Sequence, residues 1–169
     1  MPVRSRTSRT PAAAMGAAAP IAAAGVRLVL LRTGIVLSRE DGAMGKLLPL
    51  FKLGLGGPLG SGQQWMSWIS LDDHVRAMEH ALVTEALHGP ANLVAPNPVR
   101  NAEFATILGH VLGRPAVIPV PRFALALAMG EMAEATALAS QRVAPRALQA
   151  SGFTFSHPLL EGALKAELQ

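Results

Sequence analysis

Apolar residues recur along this chain in short runs and stripes, and their spacing predicts alternating strands and helices. Val26 to Leu31 (VRLVLL) is a short apolar run flanked by Gly25 and Gly34. Its length favours a buried strand, and a strand apolar on both faces expects parallel neighbours and covering helices. Ala43 to Leu53 reads as a helix interrupted at Pro49, which lacks an N–H and crowds the preceding turn. It runs into Gly54 to Gly62 (GLGGPLGSG), which must be a loop. Gln64 to Ile69 is strand-like, and Ser70 with Asp73 three residues on can cap a helix from Leu71 to about Thr84. Leu71, Val75, Met78 and Leu82 give that helix one apolar stripe, the face such a helix turns to its core.

Further on, Ala91 to Val94 is a short strand and Asn101 is a good cap for a helix over Ala102 to Leu112. Phe104, Ile107, Leu108, Val111 and Leu112 fall at i, i+3, i+4, i+7 and i+8, the strongest helical period in the chain. Val117 to Val120 reads as a short extended piece. Two helical segments follow, near Phe123 to Gly130 and Glu131 to Ser140. Pro145 can start a turn, Phe153 to Phe155 reads as a strand, and Leu159 to Leu168 as a closing amphipathic helix.

This alternation is α/β, yet sheet is scarce. One strong parallel-type strand and several short ones leave the parallel sheet incomplete, and its remaining strands are expected in sequence missing from this chain.

Charge changes this picture little. Residues 1–39 hold six arginines and no acid, leaving nine Lys/Arg against eleven Asp/Glu in the rest, so the body is not basic despite a pI near 10.7. With five Phe, two Trp and no Tyr, a stacking surface for nucleic acid is not expected. Met1 to Thr10 has a transit-like composition, but a leader or truncation scar is the favoured reading. No run is long and apolar enough to span a bilayer, since Phe123 to Ala139 is broken by Glu131 and Glu134. The lack of cysteine excludes disulfides and thiolate chemistry and fits a cytoplasmic location.

Several kinds of chemistry are missing. No Gly-x-Gly-x-x-Gly turn is present: Gly54 and Gly56 start the spacing, but position 59 is leucine. Gly45-Lys46 is followed by Leu47, which rules out a phosphate loop. With no tyrosine, the dyad in which a lysine lowers the pKa of a tyrosine acid/base cannot form. The histidines show no metal-ligand spacing, and Asp72, Asp73, His74 and His80 suit capping and solvated roles better than a metal site. Gly60-Ser61-Gly62 lacks the pattern of a nucleophile elbow. No catalytic residue and no metal are therefore expected.

Four segments in order carry a resemblance: Leu31 to Leu37 (LRTGIVL), Gly54 to Gly62, Trp68 to Asp73 (WISLDD) and Pro98 to Phe104 (PVRNAEF). Over roughly residues 17–168 the chain resembles the carboxyl-terminal part of bacterial NAD(P)-dependent epimerase-family proteins. These are atypical, extended-like short-chain dehydrogenases/reductases that end in a small domain of unknown function. The resemblance implies that the glycine fingerprint and catalytic region precede the segment like Val26 to Leu31. It implies an α/β chain made of an incomplete Rossmann-like half with a small, mostly helical carboxyl-terminal substrate lobe, divided into a disordered basic leader over 1–16, the carboxyl-terminal part of a Rossmann-like domain over 17–113, and a small helical domain over 114–169. It implies that Thr33, Gly34 and Val36 lie at the carboxyl end of a strand beside the nicotinamide end of NAD(P). It also implies that Arg32, Lys46, Gln64 and Trp68 face the substrate side; for Trp68 a core position is an equal alternative, and for Arg32 a buttress of the strand end. Ser70 stands where relatives often carry histidine.

The function expected is that of a truncated or split NAD(P)-dependent epimerase or oxidoreductase-like protein supplying the substrate lobe, inactive alone and without tight NAD(P) binding. Its partner would be an amino-terminal Rossmann half, or further copies of itself. The alternative is a free-standing, non-catalytic binding or interaction module.

Overall fold

A computed structural model describes residues 16, 18, 20, 21, 23–119 and 140–169. The leader expected over 1–16 and the helices expected over Phe123 to Ser140 lie almost wholly outside those residues.

The order is β1 (Val29–Thr33), β2 (Ile35–Leu37), α1 (Gly42–Lys52), β3 (Trp65–Met66), β4 (Trp68–Ser70), α2 (Leu71–Val83), β5 (Gly89–Leu93), β6 (Val99–Arg100), α3 (Asn101–Leu112), α4 (Arg146–Ala150) and α5 (Leu160–Leu168). β1 pairs in parallel with β5, from Val29 opposite Gly89 to Thr33 opposite Leu93. β2 pairs in parallel with β4, and β3 antiparallel with β6. The parallel, α/β character read from the sequence therefore holds.

Gly34 is where the chain changes partners. Its N–H donates to Leu93 O at 3.1 Å, and the next N–H, of Ile35, donates to Ser67 O at 2.8 Å. A Cβ on residue 34 would come within 2.5 Å of Ser67 O and 2.6 Å of Val94 Cγ1, so the handover from β5 to β4 requires glycine. The loop glycines act similarly: a Cβ at Gly56 would enter the Phe51 ring, and one at Gly57 the backbone of Ile118.

Two cores result. Met44, Leu48 and Phe51 of α1 pack with Trp68, Phe104 and Leu108 of α3, and Leu160 and Leu164 of α5. Ile69, Ala77 and Ala81 pack with Leu93, Leu148 and Phe153.

The structure corrects five details. The first strand starts at Val29 instead of Val26, and Val26 and Leu31 are exposed, because on one edge β1 has β5 and on the other no strand among the described residues. α1 runs unbroken through Pro49, which sits on its exposed side while Met44, Leu47, Leu48 and Phe51 anchor the helix around it. Helix α2 does not turn its apolar stripe inward. Its buried face is Asp73, Ala77 and Ala81, whose small side chains allow close approach to the sheet, while Leu71, Val75 and Leu82 are exposed. Asn101 does not cap α3: it is the first helical residue, and its amide oxygen accepts the Leu59 N–H at 2.7 Å. Phe153 to Phe155 forms no strand, since the Phe153 N–H closes the end of α4 on Leu148 O and Phe153 itself is a core residue.

Candidate functional site

In an open parallel sheet, ligands meet the carboxyl ends of the strands. Here that end is built by Thr33, Gly34 and the start of α2. The Ser70 hydroxyl accepts the Asp73 N–H at 3.1 Å and fixes the first turn of α2 against the sheet. That turn sets His74 beside β1, with Nε2 3.3 Å from Thr33 Oγ1. Which of the two donates depends on the tautomer. Partial burial removes water from the ring, which disfavours the imidazolium and lowers the His74 pKa from its ordinary 6.5.

Thr33 is exposed, Gly34 is held by the strand handover, and Val36 packs its side chain on the second core. Only their backbone and the Thr33 hydroxyl therefore face outward chemistry. Arg32 is exposed one residue back, on the opposite face of the strand. Lys46 is exposed on α1. Gln64 is buried, with its amide nitrogen donating to Leu59 O at 3.0 Å. Trp68 has no exposed surface, and its indole N–H donates to Asn97 O at 3.0 Å. The structure thus brings Thr33 and Gly34 together with His74, and turns Gln64 and Trp68 towards the fold's own backbone.

Three arrangements were not anticipated. Fully buried Asp73 accepts the N–H groups of Ser156 (2.8 Å) and His157 (2.9 Å) and pairs with Arg76 Nη1 at 2.7 Å. Arg76 also donates to Ser156 Oγ and Thr154 O and lies over the Phe153 ring, clasping the segment after α4 to α2. The Asp-x-x-Arg spacing was visible, but its distant partner was not. Arg27 reaches the carbonyls of Ala81 (2.8 Å), Leu82 (2.6 Å) and Leu87 (3.1 Å), where the negative end of α2 attracts a cation. Ser67 accepts the Val143 N–H and donates to Gln141 O, seating the chain before α4 on the β3–β4 junction. An open cleft of 680 Å³ lies between the last turns of α2 and Gly152 to Thr154, on the other flank of α2 from Thr33. Among the described residues no three His, Asp or Glu side chains cluster to hold a metal, and no helix is long and apolar enough to cross a membrane.

Residues 120–167 match the family model described as a domain of unknown function, DUF1731. The chain is 46% identical over 149 residues to an epimerase family protein of Mycobacterium leprae, covering 88% of this chain and 48% of that one. It is 44% identical to a human epimerase family protein solved with NADPH, with a TM-score of 0.77 over 83% of this chain and 48% of that one. A nucleoside-diphosphate sugar epimerase of Corynebacterium glutamicum is 38% identical, with a TM-score of 0.68 over 91% of this chain and 29% of that one. The chain spans about half the length of the curated relatives it matches. The resemblance read from the sequence holds in both sequence and fold.

Proposed function

As the chain matches the carboxyl-terminal part of epimerase family proteins, we propose that it supplies the substrate lobe and the outer wall of the cofactor site of an NAD(P)-dependent epimerase or oxidoreductase-like assembly. Its chemistry then depends on an amino-terminal Rossmann half. The observation that carries this reading is the parallel β1/β5 pair with its carboxyl end open at Thr33 and Gly34, beside His74. Thr33, Gly34 and Val36 are assigned to the nicotinamide end, through the Thr33 hydroxyl and the backbone at Gly34 and Val36. Arg32 and Lys46 are assigned to the substrate side; Gln64 and Trp68 serve it by holding the glycine-rich loop and the β4 core.

The residues present fit only one edge of a dinucleotide. A pyrophosphate is held by a glycine turn that opens a helix N-terminus, and the glycines at 56 and 57 are instead filled against Phe51 and Ile118. No hydride step is therefore assigned to this chain, and with no tyrosine it is proposed to be inactive alone. The division near residue 113 is kept, supported by Gly113 closing α3 and by the family match over 120–167. A cysteine-free composition supports a cytoplasmic setting.

Titration calorimetry of the purified chain against NAD and NADPH tests this directly. No submicromolar binding is expected. Submicromolar affinity for either would mean that a complete cofactor site lies within this chain, and would overturn the reading.

A further inference from the structure

The antiparallel pair β3 and β6 carries two cations that no acid balances. Trp65 of β3 lies directly opposite Arg100 of β6. The main-chain groups of Trp65 point away from β6: its N–H donates to Ser140 Oγ at 3.1 Å, and its C=O accepts the Gln141 N–H at 3.3 Å. Ser67 donates to Gln141 O at 2.8 Å and accepts the Val143 N–H at 2.9 Å. Arg142 is therefore held between two anchored residues along one edge of β3, while Arg100 stands along the other.

Both guanidiniums close on the same ring, Arg100 with its carbon 4.0 Å from the indole centroid and Arg142 at 4.7 Å. Such a contact orients a cation but does not neutralise it. Among the described residues neither arginine pairs with a carboxylate; the ion pairs there belong to Arg39, Arg76 and Lys165. Arg100 gives one nitrogen to Gln63 O, and Arg142 makes no hydrogen bond among the described residues. Trp65 is half-buried and Arg142 exposed, so the face opens to solvent.

A guanidinium stacked on a ring keeps its N–H groups along its rim, in a fork that matches the paired oxygens of a carboxylate or phosphate. Stacking has already restricted the two side chains, so an anion that binds them orders little more. Because the forks come from opposite edges of β3 with the indole between them, a single small oxyanion engages one fork, whereas two oxyanions on a short spacer engage both. We infer that Arg100, Trp65 and Arg142 form a binding site for a small dianion, a dicarboxylate or a compound with two linked phosphates, laid across the edge of the Trp65 ring. The site goes beyond the function proposed above and uses none of the residues assigned there.

The test is titration of the purified chain with glutarate, pyrophosphate and acetate at low ionic strength, followed by indole emission. Trp65 and Trp68 are the only tryptophans, and Trp68 has no exposed surface, so the change on binding reports Trp65. Saturation by glutarate or pyrophosphate below about 1 mM is expected, with acetate at least about tenfold weaker. Whichever dianion binds more tightly identifies the ligand as a carboxylate or a phosphate compound. Arg100→Gln and Arg142→Gln should each weaken binding about tenfold or more, and Arg142→Lys, which keeps the charge but loses the fork, should weaken it too. Arg146→Gln, which removes the same charge from α4, should leave binding unchanged. Urea unfolding of each variant separates lost binding from lost folding. No saturation by either dianion up to about 10 mM would show that the stack only fastens residues 140–143 to β3, and would overturn the proposal. Acetate binding as tightly as the dianions, saturation indifferent to Arg100→Gln and Arg142→Gln, or equal loss in Arg146→Gln would overturn it as well.

Discussion

Asp73→Asn is expected to cost the chain about 3 kcal/mol. The native carboxylate is fully buried, accepts two backbone N–H groups at 2.8 and 2.9 Å, and faces the Arg76 guanidinium at 2.7 Å. Asparagine keeps the volume but replaces one accepting oxygen with an NH2 group, which confronts a backbone donor with another donor. Hydrogen bonds to a charged group contribute about 1.5–3 kcal/mol each, and breaking a buried pair costs about 3–5 kcal/mol. Arg76 is 39% exposed, so its share is screened and the lower end of that range applies. Urea unfolding of a dilute sample, followed through the buried Trp68, gives the free energy, and hydrogen exchange at Ser156 and His157 gives the local effect. Arg76→Met should cost about as much, about 3 kcal/mol, because it leaves the fully buried carboxylate without its cation. An Asp73→Asn chain within about 0.5 kcal/mol of the parent, with unchanged protection at Ser156 and His157, would show that the clasp is incidental.

Gly34→Ala should destabilise by about 1–3 kcal/mol, since the new methyl meets the Ser67 carbonyl and Val94; an unchanged midpoint in the same urea assay would contradict the handover geometry. Ser70→Ala should cost about 1 kcal/mol by freeing the Asp73 N–H, checked by thermal melting. For His74 the folded pKa lies below the unfolded one, so its contribution is fully present above about 6.5 and is lost as the pH falls through the lowered folded value. A pH series of unfolding midpoints should therefore decline across that window, and His74→Gln should flatten the decline; equal slopes in the two proteins would refute it.

How far the sequence could be read depended on whether a residue's partner was local. The α3 stripe, the Ser70 cap, α5 and the parallel character of β1 follow from period, capping chemistry and apolar content, and all are present. The inward face of α2 was misread because side-chain size, and not apolarity alone, decides which face of a helix can approach the sheet closely. Here alanines meet the sheet while the leucines and valine stay outside. Asn101 had the right chemistry for a cap, but the Leu59 N–H, 42 residues away in sequence, claims its oxygen. The aromatic, β-prone Phe153 to Phe155 lost strand pairing to a helix end, which takes the Phe153 N–H, and to Arg76, which takes the Thr154 carbonyl; local propensity registers neither. The place of Thr33 and Gly34 at the carboxyl end of a strand was implied by family resemblance, whereas the position of His74 beside them emerged only when α2 was placed against β1.

The most direct measurement of whether this chain completes a cofactor site is NADPH fluorescence when it is co-expressed with the portion of the Mycobacterium leprae relative that it does not match, a Rossmann half on the function proposed above. The Rossmann half alone should bind the dinucleotide with its nicotinamide open to water. Adding this chain should raise the emission and shift it to the blue as Thr33, Gly34 and their neighbours close over the ring. A verified complex in which the NADPH emission is identical with and without this chain would contradict the assignment of its β1 end to the cofactor.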